Sequence, residues 1–423
     1  MVSIRNRSSR LTSLDVFRGM TIILMIIVNN PGDWGNIYEP FEHAHWHGYT
    51  PTDLVFPSFL FIVGLTTVLS SRQHKLDALA FIKIATRALR IFSLGLFLNF
   101  FSKINLFNLD GIPLLIVRLV VATIVAILLL GHYNEQIKFY IALAVTIVLL
   151  SLAFFGGSFF EDVRVPGVLQ RIAIVYFIIS ILYHTQSLKT LVITCITILL
   201  GYWAIMTLIP VPGIGAANLE PDTNFAAWFD RIFLSGHMWS STKTWDPEGV
   251  LSTLPAKATG ILGILAAKTI TNERPNKILY LLIFGVICLI IGHLWHIFFP
   301  INKALWTSSF VVTMAGWDLV ILAVLYYIID VQHWDGWTKP FIIFGLNPIF
   351  VFFLSGFITS VWDVITFSYD GKIISLREFV YDQNITVWFS DPKTASLIGA
   401  FIFLTFWFII LYFLYKRKII FKV

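Results

Sequence analysis

The sequence predicts an all-α fold, a polytopic membrane bundle of about twelve transmembrane helices. Three observations carry that prediction. First, 57% of the 423 residues are apolar and only 13% are charged, where soluble proteins carry about 25% charge. Second, apolar runs recur at the roughly 20-residue length that a bilayer crossing needs. Third, the basic residues gather at the ends of those runs, so the net charge of +6 is no nucleic-acid signal. Both cysteines, Cys195 and Cys288, fall inside apolar runs, so neither a disulfide framework nor a zinc spacing exists.

The expected spans are 14–30, 53–71, 82–102, 111–131, 137–156, 166–184, 188–209, 250–269, 278–299, 307–330, 340–361 and 395–415. The first follows Arg5, Arg7 and Arg10 as a signal peptide would. It ends in Val-Asn-Asn-Pro-Gly with no small-x-small cleavage pattern, and is expected to be retained. Basic density then sets orientation. Arg5, Arg7, Arg10, Arg72, Lys75, Lys83, Lys138, Lys189, Lys268, Arg274, Lys277 and Lys339 alternate onto one side, with Lys416, Arg417, Lys418 and Lys422 after the last span. That side is expected to be cytoplasmic, with both termini on it and the loops 31–52, 210–249 and 362–394 outside. The whole chain, 1–423, reads as one membrane domain.

The loop 31–52 carries His43, His45 and His47 at alternate positions, with Trp46 between them and Asp53 at the mouth of the next span. The histidines have three readings: metal ligands, solvated loop residues, or one active histidine oriented by a carboxylate. No cysteine or close carboxylate set completes a metal site, and none is expected. Asp53 and Glu42 are the local carboxylates. Thr50-Pro-Thr-Asp53 also reads as a helix start, and capping does not exclude orienting. Asp15 and Arg18, one turn apart, read as an intrahelical pair. Asn29 and Asn30 close the first span, as caps or as substrate holders.

Further along, Arg164-Val-Pro-Gly-Val-Leu-Gln170-Arg171 opens the sixth span. Arg171 is either an interfacial anchor or an anion or sugar contact. Asp246 and Glu248 end the 210–249 loop as dipole complements, as partners of Arg171, or as a grip on sugar hydroxyls. Asn302-Lys303-Ala-Leu-Trp306 reads as an interfacial belt or a substrate edge. At the cytoplasmic end, Arg87 and Arg90 either snorkel or bind an anion arriving from that side, Lys83 lies near them, and Asn347 lies a few residues into the eleventh span. Asp318 and Lys257 are charges inside spans, and so functional candidates.

Taken in order, Leu14-Asp-Val-Phe-Arg-Gly19, Val28-Asn29, His43-Ala-x-Trp46-x-Gly48-x-Thr50, Asp53-Leu-Val-Phe-Pro57, Phe61-Ile-Val-Gly64, Arg164-Val-Pro-Gly-Val-Leu-Gln-Arg171, Asp246-Pro-Glu-Gly249 and Asn302-Lys-x-Leu-Trp306 resemble one family. It is the heparan-alpha-glucosaminide N-acetyltransferase family, with its bacterial homologues. The likeness runs over nearly the whole chain. It implies a multi-span enzyme that takes acetyl from cytoplasmic acetyl-CoA and gives it to an amino sugar or related glycan on the far side. The family's active histidine falls on His43 and its first-span asparagine on Asn29; Asp53 joins them as the orienting carboxylate.

Arg171, Gln170, Asp246, Glu248, Trp46, Asn302, Lys303 and Trp306 are then the expected acceptor contacts, and Arg87, Arg90 and Asn347 the expected acetyl-CoA contacts. The helical hairpin at 108–158 reads as an insertion, and the large lumenal N-terminal domain of the animal enzymes is not matched. The expected setting is the inner, cytoplasmic membrane, with lipid and a homodimer among the partners considered and no nucleic acid. The competing reading is a secondary transporter of a small polar solute or glycan precursor. Twelve spans and mid-span charges suit it, but no internal repeat supports it.

Overall fold

A computed structural model describes residues 11–70, 75–105, 109–272 and 275–421. Arg5, Arg7, Arg10, Arg72, Arg274 and Lys422, which bear on orientation, and position 108, where the expected hairpin begins, lie outside the described residues.

Helix α1 is Thr12–Asn29 and α2 is Val55–Ser70, the latter entered through a tight turn at Pro51–Leu54. Next come α3 (Ala78–Phe101), α4 (Gly111–Leu130), α5 (Glu135–Phe155), α6 (Val168–Thr185) and α7 (Leu188–Leu208). A short α8 (Phe225–Leu234) sits in the 210–249 loop, before α9 (Thr253–Thr271), α10 (Lys277–His296) and α11 (Ser308–Leu325), which runs on as a π turn to Val331. After α12 (Lys339–Gly345) and α13 (Pro348–Val364), a small antiparallel hairpin pairs β1 (Thr366–Tyr369) with β2 (Lys372–Ser375). A single turn, α14 (Leu376–Glu378), precedes α15 (Pro392–Lys416). Side chains of Asp77, Asn134, Ser187, Asn224, Thr307 and Asp391 cap the helices they open, each accepting from an otherwise unpaired backbone N–H.

Among the described residues, nine helices are long and apolar enough to cross a membrane. The expected span at 340–361 is instead broken: α12 and α13 meet at a bend of 77°. Pro348 opens a new helix there, and the residue before a proline is pushed out of helical geometry. Two further expected spans, 82–102 and 250–269, form helices that are not among the nine. Helix α3 carries Lys83, Arg87 and Arg90 on its length, and α9 is rich in Ala, Gly and Thr. Both bury much of their surface in protein, α9 against α2, α6, α7 and α11, so a lipid-soluble exterior is not required of them.

The α2–α9 crossing shows how glycine sets this packing. A Cβ on Gly64 would lie 2.0 Å from Gly260 O, and one on Gly263 2.0 Å from Phe61 O; only bare backbone lets the helices approach so closely. The α4–α5 hairpin leans on α3 and exposes apolar side chains such as Ile116, Ile124 and Ile147. Asp15 and Arg18 form the expected pair at 3.1 Å, and Arg18 also donates to Gly345 O at the α12–α13 break.

Candidate active site

The 31–52 loop is pinned back onto α2 by Asp53. This carboxylate is 1% exposed. Its Oδ2 accepts from Thr50 N at 3.0 Å and Ala44 N at 3.1 Å, and its Oδ1 lies 2.7 Å from His43 Nδ1. Thr50 and Asp53 complete a reciprocal cap at the start of the turn into α2. Asp53 therefore both caps and orients. A carboxylate only accepts, so Nδ1 carries the hydrogen, and in the neutral imidazole Nε2 is then the basic nitrogen.

Lys303, in the short loop between α10 and α11, reaches over the same imidazole. Its Nζ stands 3.0 Å from each ring nitrogen and 3.5 Å from Asp53 Oδ1. Burial pushes the Lys303 ammonium below its ordinary value, against the opposing pull of Asp53 and Glu248.

His43 and Lys303 open into a cavity of about 300 Å³ that Asn29, Arg164, Trp239 and Glu248 also line. Arg164 supplies its electrostatic frame. The guanidinium binds both oxygens of Asp246, at 2.8 and 2.6 Å, and bonds Glu248 as well. Its face lies over the Trp239 ring at 5.8 Å, and Trp239 N donates to Asp246 Oδ2. Behind this frame, Asp230 accepts from Asp246 N and Val250 N; burial pushes its carboxyl up to about 7.

Of the expected substrate contacts, the cavity gathers Glu248 and Lys303 beside His43 and Asn29; the others stand elsewhere. Asp246 is held behind Glu248 by Arg164. Arg171 is 1% exposed, lying over the Trp306 and Phe56 rings and donating to Ser252 Oγ and Gly249 O. It sits a full turn inside α6, beneath the surface. Arg164 precedes the helix and can reach the carboxylates, so the pairing expected of Arg171 belongs to Arg164. Gln170 packs in the tight space beside Gly95 and Gly167. Trp46 meets Trp245 edge-on and donates to Leu219 O. Asn302 folds its own loop by accepting from Leu305 N, and Trp306 donates to Thr259 Oγ1.

A second cavity, about 330 Å³, lies further along α2 and is lined by Arg18, Arg87, Thr66, Ser70 and Tyr176 among others. It shares Phe59 and Phe352 with the His43 cavity. Beyond it, a groove of about 410 Å³ takes in Lys83, Asp77 and His184 and shares Ser70 and Tyr176. Arg87 lies over Tyr176 at 4.8 Å, and its buried Nε has no hydrogen-bond partner among the described residues. The two other expected cofactor contacts are engaged elsewhere. Arg90 donates to Leu129 O at the C-terminal end of α4, where carbonyls lack helical partners. Asn347 accepts from Phe421 N and holds the end of the chain against α13. Among the described residues, no group of three or more His, Cys, Asp or Glu side chains is placed to hold a metal.

Among the lining residues that sequence reasoning did not place in the site are Arg164 and Trp239. Arg164 had a signal, as the first residue of the Arg-Val-Pro-Gly motif. Trp239 had none, since its place depends on how the 210–249 loop folds back.

Residues 10–161 match the family model described as heparan-alpha-glucosaminide N-acetyltransferase, catalytic. The chain is 26% identical to the heparan-alpha-glucosaminide N-acetyltransferase of Homo sapiens over 98% of its own length and 60% of that protein. It is likewise 26% identical to the Mus musculus protein of the same name, over 99% of the chain and 61% of that protein. The chain thus spans about three fifths of the length of these relatives. The resemblance read from the ordered motifs is borne out by the family model and by both relatives.

Proposed function

We propose that this chain is a transmembrane acetyltransferase that takes acetyl from cytoplasmic acetyl-CoA and transfers it to an amino sugar or related glycan on the extracytoplasmic side. The observation that carries this reading is the succession of cavities along α2. The helix has 16 residues and is roughly 24 Å long at about 1.5 Å per residue. At one end stands an imidazole backed by a carboxylate; at the other stand Arg18, Arg87 and Lys83. A long anionic thioester donor suits that polarity, with its phosphates at the cations and its reactive end at His43. The buried Arg87 Nε, without a partner among the described residues, is a donor suited to such an anion.

The active chemistry is assigned to His43, Asp53 and Asn29. An amine must be neutral to attack a thioester. His43 Nε2 takes its proton while Asp53 keeps the ring in the correct tautomer. Asn29, at the cavity wall, offers an amide donor to the oxyanion that forms at the carbonyl. The free amine is itself a competent nucleophile, which favours a ternary complex over an acetyl-His43 intermediate. Glu248, with Arg164 behind it, is the acceptor's polar contact.

The topology we infer has twelve spans, counting α3, α9 and the bent α12–α13 pair, with both termini cytoplasmic in the inner membrane. The α4–α5 hairpin is peripheral to a single domain, facing lipid or a second copy of the chain. Asp318, the mid-span charge that suited a transporter, bonds Ser58 Oγ at 2.5 Å and lines none of the three cavities.

The deciding experiment is an assay of the purified chain in detergent with labelled acetyl-CoA and a panel of amino sugars that includes glucosamine. Label recovered on an amino sugar, and lost with His43→Ala, is the expected result. Acetyl-CoA untouched in the presence of every acceptor would sink the reading.

A further inference from the structure

Lys303 Nζ stands over the His43 imidazole, 3.0 Å from each ring nitrogen, inside the cavity that an acceptor amine would enter. A general base works within about 2.6–3.2 Å of the atom whose proton it takes, and Nζ is 3.0 Å from His43 Nε2. Both side chains line one cavity, so a thioester brought to His43 is brought equally to Lys303. The charged groups facing Nζ are Asp53 at 3.5 Å, His43, and Glu248 with its partner Arg164 across the cavity. Asp53 and Glu248 favour the ammonium, while burial favours the neutral, nucleophilic amine.

We propose that Lys303 is a self-acetylation site: with acetyl-CoA bound and no acceptor present, the chain acetylates its own Lys303 Nζ. The proposal rests on the acetyltransferase reading above. Starting from the ammonium, two protons leave Nζ in turn through His43 Nε2, one to solvent before attack and one to the departing CoA thiolate. The Nζ lone pair forms the N–C bond to the thioester carbonyl, and the C–S bond breaks. The products are N-acetyl-lysine, CoA thiol and one released proton, so no oxidant or further reactant is needed. Holding both partners in one cavity makes the reaction effectively unimolecular. The acetylated side chain loses its charge beside Asp53 and leaves an amide in the acceptor's place. Donor without acceptor therefore switches the site off.

The test uses the full chain in detergent with isotopically labelled acetyl-CoA and no amino sugar, read by peptide mass spectrometry. Label approaching one acetyl per chain is expected at Lys303, with the exposed Lys243 and Lys372 as internal controls that stay far behind. His43→Gln should slow Lys303 labelling by about 100-fold or more, Lys303→Arg should abolish it, and excess glucosamine should protect. Equal labelling of Lys303, Lys243 and Lys372 would mean chemical acetylation and overturn the proposal. So would an unlabelled Lys303 in a preparation that acetylates an amino sugar, and that result leaves the enzyme reading standing. If acetyl-CoA is not consumed and neither lysine nor amino sugar is labelled, both fall together.

Discussion

Phe59 of α2 and Phe352 of α13 each line both the His43 cavity and the Arg87 cavity, so the two cavities share these side chains as common wall. Phe352 lies one turn beyond Pro348, where α13 departs from α12, and Asn347 ties that start to the end of the chain. A donor that reaches His43 from the Arg87 side has to pass this shared wall.

Phe352→Trp enlarges a side chain on the wall that the two cavities share. Transfer from acetyl-CoA should fall by roughly tenfold, about 1.4 kcal/mol of barrier, while KM for the amino sugar holds. Initial rates with each substrate varied in turn check this. An equal loss in the acceptor's KM would show that the ring serves the acceptor side instead.

His43→Ala should lower transfer by a factor of about 100 to 10,000 without abolishing acetyl-CoA binding. His45 is exposed and His47 meets Asn302 at 3.4 Å; neither lines the cavity, so alanine at either should cost little. Asp53→Asn should lose activity and also weaken the turn into α2, because one carboxylate serves both the imidazole and the cap. Transfer assays paired with thermal melting in detergent separate the two effects. Full activity in His43→Ala alongside an inactive His45→Ala or His47→Ala would move the site.

Arg164→Ala leaves Asp246 and Glu248 facing each other without their cation. Breaking such a buried pair from one side typically costs about 3–5 kcal/mol, so a clear drop in melting temperature is expected together with lost transfer. Glu248→Gln keeps the packing and a hydrogen bond to Arg164; its loss should be mainly in activity. If Glu248→Gln melts early and transfers normally, the carboxylate is structural.

Asp230 predicts a pH trend in stability. Burial raises its folded carboxyl from the ordinary 3.8 to about 7, so the folded state binds the proton more tightly than the unfolded state. The contribution is fully present below pH 3.8, declines as pH rises, and is lost once pH passes about 7. Melting temperature should therefore carry a downward component across that window, and Asp230→Asn should flatten it. An unchanged slope in the variant would assign the trend to other groups.

The sequence by itself determined the helical membrane class of this protein and one local relation in its candidate site. Apolar runs are set by composition, because lipid demands them of any exposed span. The His43–Asp53 relation was legible because both residues lie within one short segment, where Thr50-Pro-Thr-Asp53 writes its own cap. What only the tertiary structure decided are relations between distant segments. Which arginine meets Asp246 and Glu248 depends on whether it lies before the helix, as Arg164 does, or a turn inside it among Phe56 and Trp306, as Arg171 does. Likewise Arg90 spends its guanidinium on a carbonyl of α4, and Asn347 its amide on the end of the chain, partners that spacing in their own helices does not announce. Helices α3 and α9 are too polar to look like lipid-facing spans because neighbouring helices, not lipid, cover much of their surface. Position along a chain fixes which groups exist and which local caps form; the cavity, its shared wall and its charged frame arise only when the helices pack.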